Sequence, residues 1–317
     1  MSTVEHENAR LMTKVARLYH EQGLSQPNIS SRLHISQSRV SRLLSKATEV
    51  GIVRTTVVNT AGVYSELEDL LEKKYAVSEI VIVDTAEGEE QLLKGLGSAA
   101  AHYLESTLTG GDRIGISSWS ASLLSTVEAM RPKVSKVADE VVQVIGGVGE
   151  SNAQAFAVRL VGRLSEVTGA RVSYLPAPGL VNTPEAARAL FANQNIADVL
   201  KSVNDLTLLL VGIGSIEPSK LLKESGNSLS EKERKELAKL GAVGDVCMRY
   251  FDENGKGLKT NLDKRIIGIQ ADQLKKIPRR VAVAGGTRKL KAIKAALEGG
   301  WVNVLITDYK SARKLAE

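Results

Sequence analysis

Four short loops carry the residues best suited to hold an anion: IGISSWSAS (114–122), VIGGVGESN (144–152), VGIGSIEPS (211–219) and VAGGTRKLK (283–291). Each follows an apolar run and opens a helical one. A helix start presents free backbone N–H groups and a partial positive charge, so a strand–loop–helix junction of this composition suits a phosphate or carboxylate. In the first loop the hydroxyls of Ser118, Ser120 and Ser122 add donors. In the fourth, Arg288 and Lys289 enter the start of a helix, where their charge opposes the macrodipole unless an anion is shared. The plainer account, that paired glycines only make tight turns, fits any one of these loops better than all four together.

Asp245, in GAVGDVCMRYF, admits a chemical and a plain reading. In the first its carboxylate accepts hydrogen bonds from sugar hydroxyls, or abstracts a proton in an isomerase; in the second it merely caps a turn. Asp205, ahead of LTLLLVGIG, reads as structural. Other chemistries are poorly served. GIGSIE has Gly212 and Gly214 but Glu217 in place of the third glycine of a dinucleotide loop, and no Walker loop exists. His6, His20, His34 and His102 are far apart and Cys247 is alone, so no metal site is expected. His34 reads as a turn residue and Cys247 as a core filler. A serine nucleophile in GISSWS would have only His102 as a partner. No catalytic residue and no cofactor are expected.

A second chemistry lies near the N-terminus. Residues 1–60 hold eight Lys or Arg against four Glu, and between Gln22 and Thr48 there are four basic residues and no acid. A face of one sign attracts a polyanion. Gln37, Ser38, Arg39, Ser41, Arg42 and Lys46 fall on the polar side of one helical run, and Val40, Leu43 and Leu44 on its apolar side. Arginine reads guanine and glutamine reads adenine, each through two hydrogen bonds, while serines and helix starts hold phosphates. The expected DNA contacts are Ser25, Gln26, Ser36, Gln37, Ser38, Arg39, Ser41, Arg42 and Lys46.

The elements that must position these residues follow from pattern. VARLYHEQG is helical to Gly23; Ser25 caps a second helix with Pro27 in its first turn; Ser36 caps a third, which Gly51 ends. IVRTTVV then alternates like a strand. Three helices, a tight turn and a β-wing predict a winged helix-turn-helix over 1–58. Asn59–Gly62 reads as a hinge, and Ser65 to Glu68 as a capping box opening a helix with Leu67, Leu70 and Leu71 as its stripe, free to bridge domains or pair subunits. The linker and helix span 59–76. From 77 to 317 short apolar runs alternate with helical stretches: EIVIVD, RIGIS, EVVQVIG, RVSYLP, LTLLLVGIG, RIIGI, RRVAVAGG and VNVLITD are the strand candidates. Runs apolar at every position suit strands covered on both faces, so the class is α/β with a doubly wound, mainly parallel sheet. FDENGKG suggests a hairpin inserted into it. Hydrophobic residues make up 43% of the chain, no membrane-length apolar stretch exists, the N-terminus lacks a secretory pattern, and one cysteine suits a reducing compartment. A cytoplasmic protein is expected.

Taken together, ARLYHEQGLSQPNISSRLHISQSRVSRLL, VSEIVIVD, GDRIGISSWSASL, VVQVIGG, LPAPG, LLLVGIG, GAVGDVCMRYFDENG and VAVAGGTRKLKAIKAALEGGWVNVLITD resemble, in order and over the whole chain, the SorC (SorC/DeoR) family of bacterial transcriptional regulators. The resemblance implies a DNA-reading module joined to an effector domain similar to ribose-5-phosphate isomerase and glucosamine-6-phosphate deaminase, which binds phosphorylated sugars without turnover, in a homodimer or homotetramer. By position it implies that the loop 117–122 matches the family's phosphate-holding segment and that Asp245 and Lys289 match its sugar-contacting positions. With the strand-end loops, the expected effector contacts are Ser117, Ser118, Trp119, Ser120, Ala121, Ser122, Gln143, Gly146, Gly147, Pro176, Gly212, Gly214, Asp245, Gly285, Gly286, Arg288 and Lys289. Three departures stand out: Asn28-Ile29-Ser30 where the family usually has Glu-Ile-Ala, serines where its phosphate loop usually has threonines, and Ile145 where some relatives carry an imine-forming lysine. Reversible, noncovalent binding is therefore expected. The chain reads as a regulator of a carbohydrate-use operon partnered by operator DNA and a phosphorylated sugar; the rivals are an isomerase- or deaminase-like enzyme with a DNA-binding appendage, and a regulator of an unphosphorylated sugar.

Overall fold

A computed structural model describes residues 3–53, 63–133 and 135–317. Its contacts divide the chain into two units, Met1–Thr60 and Ala61–Glu317. The first contains α1 (Thr3–His20), α2 (Gln26–Leu33) and α3 (Gln37–Glu49). Ser25 Oγ accepts from Asn28 N and Ser36 Oγ from Arg39 N, so both shorter helices begin where the capping serines stand. Val15, Leu18, Ile29, Val40 and Leu44 form the buried centre of the bundle. The expected wing falls largely on residues 54–58 and the hinge on 59–62, both outside the described residues.

The second unit runs, in order, α4 (Ser65–Tyr75), β1 (Glu79–Val83), α5 (Glu89–Thr107), β2 (Asp112–Ile116), α6 (Ala121–Ala129), β3 (Ala138–Gln143), α7 (Ser151–Thr168), β4 (Arg171–Ser173), α8 (Pro184–Phe191), α9 (Gln194–Ser202), β5 (Leu208–Val211), β6 (Gly214–Ser215), α10 (Lys220–Glu224), α11 (Glu231–Lys239), β7 (Ala242–Val246), β8 (Arg249–Asp252), α12 (Ala271–Lys276), β9 (Arg279–Val283), α13 (Leu290–Glu298), β10 (Val304–Asp308) and α14 (Tyr309–Ala316). Seven strands form one parallel sheet in the order β1-β10-β9-β5-β2-β3-β4. Alternate residues serve opposite faces: Leu208, Leu210, Val281 and Val283 join the core under α5, α6 and α7, while Leu209, Val211, Ala282 and Ala284 join the core under α4, α13 and α14. This is why these runs carry no polar positions. From β2 the chain moves outward to β3 and β4; from β5 it moves the other way to β9 and β10. The order therefore reverses between β2 and β5, where open α/β sheets form their ligand crevice.

Several local expectations are corrected. Arg265–Ile269 joins no ladder; it makes isolated bridges, Ile145 to Gly268 and Leu180 to Ile266, and its isoleucines are buried beneath the strand ends. Its apolarity records burial, not sheet membership. The hairpin is not inserted into the main sheet: β6, β7 and β8 form a separate antiparallel sheet. The chain does reverse at FDENGKG, where Phe251 bridges Gly257 and Asp252 N donates to Lys256 O at 3.1 Å, and a further reversal at Cys247-Met248 joins β7 to β8. Ser65 caps nothing, because Tyr64 occupies the cap position and makes no side-chain cap. Glu68 instead accepts from Ile82 N at 2.9 Å and Glu72 from Ile80 N at 2.8 Å, closing the outer edge of β1. The α4 stripe is used inside this unit, with Leu71 and Tyr75 buried and Leu67 packed on the core, while Leu70 is 47% exposed. Among the described residues no helix is long and apolar enough to cross a membrane.

Candidate functional site

The carboxyl ends of β2, β5 and β9 open onto a cavity of about 430 Å³. Its wall includes Ser117–Ser122, Gly212 and Gly214, Asp245, and Gly285, Gly286, Arg288 and Lys289, all singled out from sequence. Gln143, Gly146, Gly147 and Pro176 do not reach it. Gln143 lies behind, buried, donating to Ser118 Oγ at 2.9 Å and accepting from Leu175 N at 3.0 Å, so both ends of its amide are used within the framework. Gly146 lies against the carbonyls of Ala177 and Pro178, and Gly147 against the Gln143 amide, where a Cβ would collide.

The serine loop is stitched down rather than left open. Ser118 Oγ donates to Ile145 O at 2.6 Å and Ser122 Oγ to Val283 O at 2.8 Å, tying the loop to its neighbours after β3 and on β9. Their hydroxyl protons are thus unavailable as anion donors, contrary to expectation. Ser120 is the N-cap of α6, accepting from Leu123 N at 3.4 Å. The amides of Ala121 and Ser122 have no acceptor among the described residues. In the GGTRK loop Gly286 N donates to Asp308 Oδ2 and Ser311 Oγ, at 2.8 and 2.9 Å, and is likewise committed. What remains open at this end is the start of α6 together with Arg288 and the half-buried Lys289.

Asp245 lies inside β7, opposite Gly214 of β6. Its Oδ2 accepts from Met248 N at 2.9 Å across a two-residue turn in which Cys247 and Met248 both have positive φ, 53° and 59°. Two such residues are disfavoured in that conformation, and glycine or asparagine is the usual occupant. The turn brings both side chains to the cavity wall, so Cys247 lines the cavity as well as being buried. Burial pushes the Asp245 carboxyl up to about 6, against the opposing influence of the Met248 N–H and of Lys289. Burial also draws Lys289 down, while Asp245 and Glu89 favour its charge and Arg288 opposes it. Burial, then Asp245, pushes the Cys247 thiol up to about 12, which keeps it a protonated, unreactive group.

Sequence reasoning missed part of the wall. Glu89, Leu92, Leu93 and Leu96 come from the start of α5 and Leu222 from α10, while Glu217, Pro218 and Ser219 belong to the loop 211–219 that the sequence had singled out as a whole. The first set was accessible to the strand-end rule, since α5 also follows a parallel strand. Cys247 and Met248 carried no turn signal at all. Ile145 lines the cavity and offers no amine.

In the first unit, Ser25, Ser36, Gln37, Ser38, Arg39, Ser41, Arg42 and Lys46 are exposed and Gln26 is half-buried. They share the surface of α3 and the start of α2. Lys46 is paired with Glu49 at 2.6 Å. Arg39 and Arg42 have no carboxylate partner among the described residues; Arg42 Nε donates to Ser38 O at 3.4 Å. His34, at φ 52°, ends α2 in the left-handed region. Among the described residues no group of three or more His, Cys, Asp or Glu is arranged to hold a metal ion.

Residues 61–317 match the family described as "Putative sugar-binding domain". The chain is 31% identical over 313 residues to the deoxyribonucleoside regulator of Bacillus subtilis (strain 168), covering 98% of this chain and 99% of that protein. It is 31% identical over 304 residues to the transcriptional regulator LsrR of Escherichia coli (strain K12), covering 95% of this chain and 92% of that protein. The crystal structure of the full-length sorbitol operon regulator SorC from Klebsiella pneumoniae superposes with a TM-score of 0.73 at 27% identity, covering 98% of this chain and all of that one.

Proposed function

The chain belongs to this sugar-binding-domain family of transcriptional regulators, with SorC/DeoR-type proteins among its relatives, and on that premise we propose that it controls a carbohydrate-use operon through reversible binding of a phosphorylated sugar. The observation that carries the effector is the pairing, on one cavity wall, of the open start of α6 with Lys289 and Arg288. Helix-start amides and cations take the phosphate. Asp245 accepts from sugar hydroxyls. Ile145 supplies no amine at the position where some relatives carry an imine-forming lysine, and binding is read as reversible and noncovalent. The effector domain is residues 77–317, and 59–76 links it to the DNA-reading residues 1–58.

The exposed face of α3 reads bases through Gln37, Ser38, Arg39 and Arg42, with Ser25, Gln26, Ser36, Ser41 and Lys46 on phosphates. The protein acts in the cytoplasm as a homodimer or homotetramer, so that two reading heads meet half-sites separated by whole turns of DNA. Effector binding changes operator affinity because the ligand prefers one arrangement of the chain; equal affinity for both would shift nothing. The reading requires no cofactor and no turnover: Asp245 and Lys289, the two groups on the cavity wall that burial moves toward neutrality, serve as acceptor and cation for a bound ligand.

One observation favours a second reading, an unphosphorylated sugar. The donors of Ser118, Ser122 and Gly286 are spent within the protein, and Glu89, Glu217 and Asp245 add negative charge to the wall. A thermal-shift panel of pentoses, hexoses and their phosphates decides the matter. A stabilisation confined to phosphates supports the first reading, one by free sugars the second, and turnover of any phosphate in the same tubes the enzyme.

A further inference from the structure

The start of α5 contributes Glu89, Leu92, Leu93 and Leu96 to the cavity wall. Leu92 and Leu96 also lie against Gly286 and Gly285 of the cationic loop, where an added Cβ would meet them at 3.1 and 3.3 Å. The next contact runs outward. Gly95 sits so close to Thr85 that a Cβ would stand 2.6 Å from its methyl group, so the β1–α5 connection at 84–88 packs directly against the second turn of α5. The far side of that connection holds the residue that enters α4: the Tyr64 hydroxyl donates to Asp84, and the Tyr64 ring stacks on Tyr309 with centroids 4.5 Å apart. Glu87 in the same connection pairs with Lys310, next to Tyr309, at 3.1 Å.

The rest of α4 is fastened elsewhere. Glu68 and Glu72 hold the edge amides of β1, Leu71 and Tyr75 are buried, and Tyr75 donates to Leu315 O at 2.8 Å. In the chain, Tyr64 therefore stands between a pinned helix and the residues 54–62 that lead to the first unit, and its hydroxyl touches the connection that follows the cavity wall. We propose that the Tyr64–Asp84 hydrogen bond, backed by the Tyr64–Tyr309 stack, is the two-state contact through which cavity occupancy reaches the linker. A ligand pressing on Leu92 and Leu93 shifts the 84–88 connection, and Asp84 then gains or loses Tyr64. The inference rests on the regulator reading above, but not on which sugar fills the cavity.

The test is a double-mutant cycle on the full-length chain, using a duplex selected by the wild-type protein from a random pool. Leu93→Trp enlarges a half-buried side chain on the cavity wall and stands in for a ligand, with Leu93→Phe as a milder version should the first unfold. Tyr64→Phe removes the hydroxyl and keeps the stack. Filling the cavity is expected to change DNA affinity about 5–150-fold with Tyr64 present and less than about threefold in Tyr64→Phe. Ribose 5-phosphate, glucose 6-phosphate and fructose 6-phosphate are then titrated as probes against both backgrounds. Equal changes in the wild-type and Tyr64→Phe backgrounds overturn the coupling. A non-additive cycle with no response of the wild type to any probe keeps the coupling and removes these three phosphates as effectors.

Discussion

Gly214 and Asp245 face one another across the antiparallel pair of β6 and β7, and the Asp245 carboxylate occupies the space that a side chain on Gly214 would need. The same contact aims the carboxylate into the cavity and holds it within reach of the Met248 amide. Gly214→Ala must therefore displace Asp245 or open the pair. The expected outcome is a loss of about 1–3 kcal/mol in chemical denaturation and at least a roughly tenfold weaker effector in calorimetric titration. Wild-type affinity in this variant would take Asp245 out of the site.

Asp245 also makes stability depend on pH. Its carboxyl rises from 3.8 in the unfolded chain to about 6 in the folded one, mainly through burial. An acid raised in this way favours the fold when protonated: the contribution is complete below about pH 4 and is lost as pH rises through about 6. Asp245→Asn keeps an acceptor for Met248 N without the charge. It is expected to match the wild type near about pH 4 and to exceed it by about 1–2 kcal/mol at about pH 8, after allowance for partial solvent screening. Parallel melting curves across that range refute the burial argument.

Arg39 and Arg42 stand on the exposed face of α3 without a carboxylate partner among the described residues. Replacing either with Ala is expected to cost about 1–3 kcal/mol of operator binding and to relax preference at one base pair. Lys46, already paired with Glu49, is expected to matter less and uniformly across sequences. Electrophoretic competition with single-base operator variants separates these outcomes. Undiminished binding by both arginine variants rules out α3 as the reading helix.

Ser120 and Lys289 serve the same cavity in different ways. Ser120→Ala removes the α6 cap at Leu123 N and is expected to cost about 1 kcal/mol as well as weakening the anion site. Lys289→Met keeps the packing of the stem, removes a cation held in a partly buried place, and is expected to leave the melting temperature intact while abolishing the phosphate-dependent shift. Both should bind operator DNA like the wild type. A full thermal shift with sugar phosphates in Lys289→Met would place the anion elsewhere.

Local chemistry made much of this chain legible before any coordinates. Capping serines at 25 and 36, the one-signed basic run, the fully apolar strands and the loops at their ends follow from short-range rules about hydrogen bonds, charge and periodicity. Such rules cannot say which partner a polar group takes when several are in reach. Ser118 and Ser122 were free donors by type, and only the carbonyls of Ile145, just after β3, and of Val283 on β9 made them ties. Glu68 suited a capping box by spacing, yet the unpaired edge of β1 lay closer in space. Arg265–Ile269 had the apolarity of a strand, but burial beneath the other strand ends supplies the same pattern.

The sequence alone thus determined the fold class and the loops that follow the parallel strands, because each depends on residues near one another in the chain. Folding decided which loops converge, which hydroxyls are tied down, why burial pushes the Asp245 carboxyl up to about 6 and how Tyr64 meets Asp84. Those are properties of groups distant in sequence, and only the sheet order and the packing against it bring them within bonding distance.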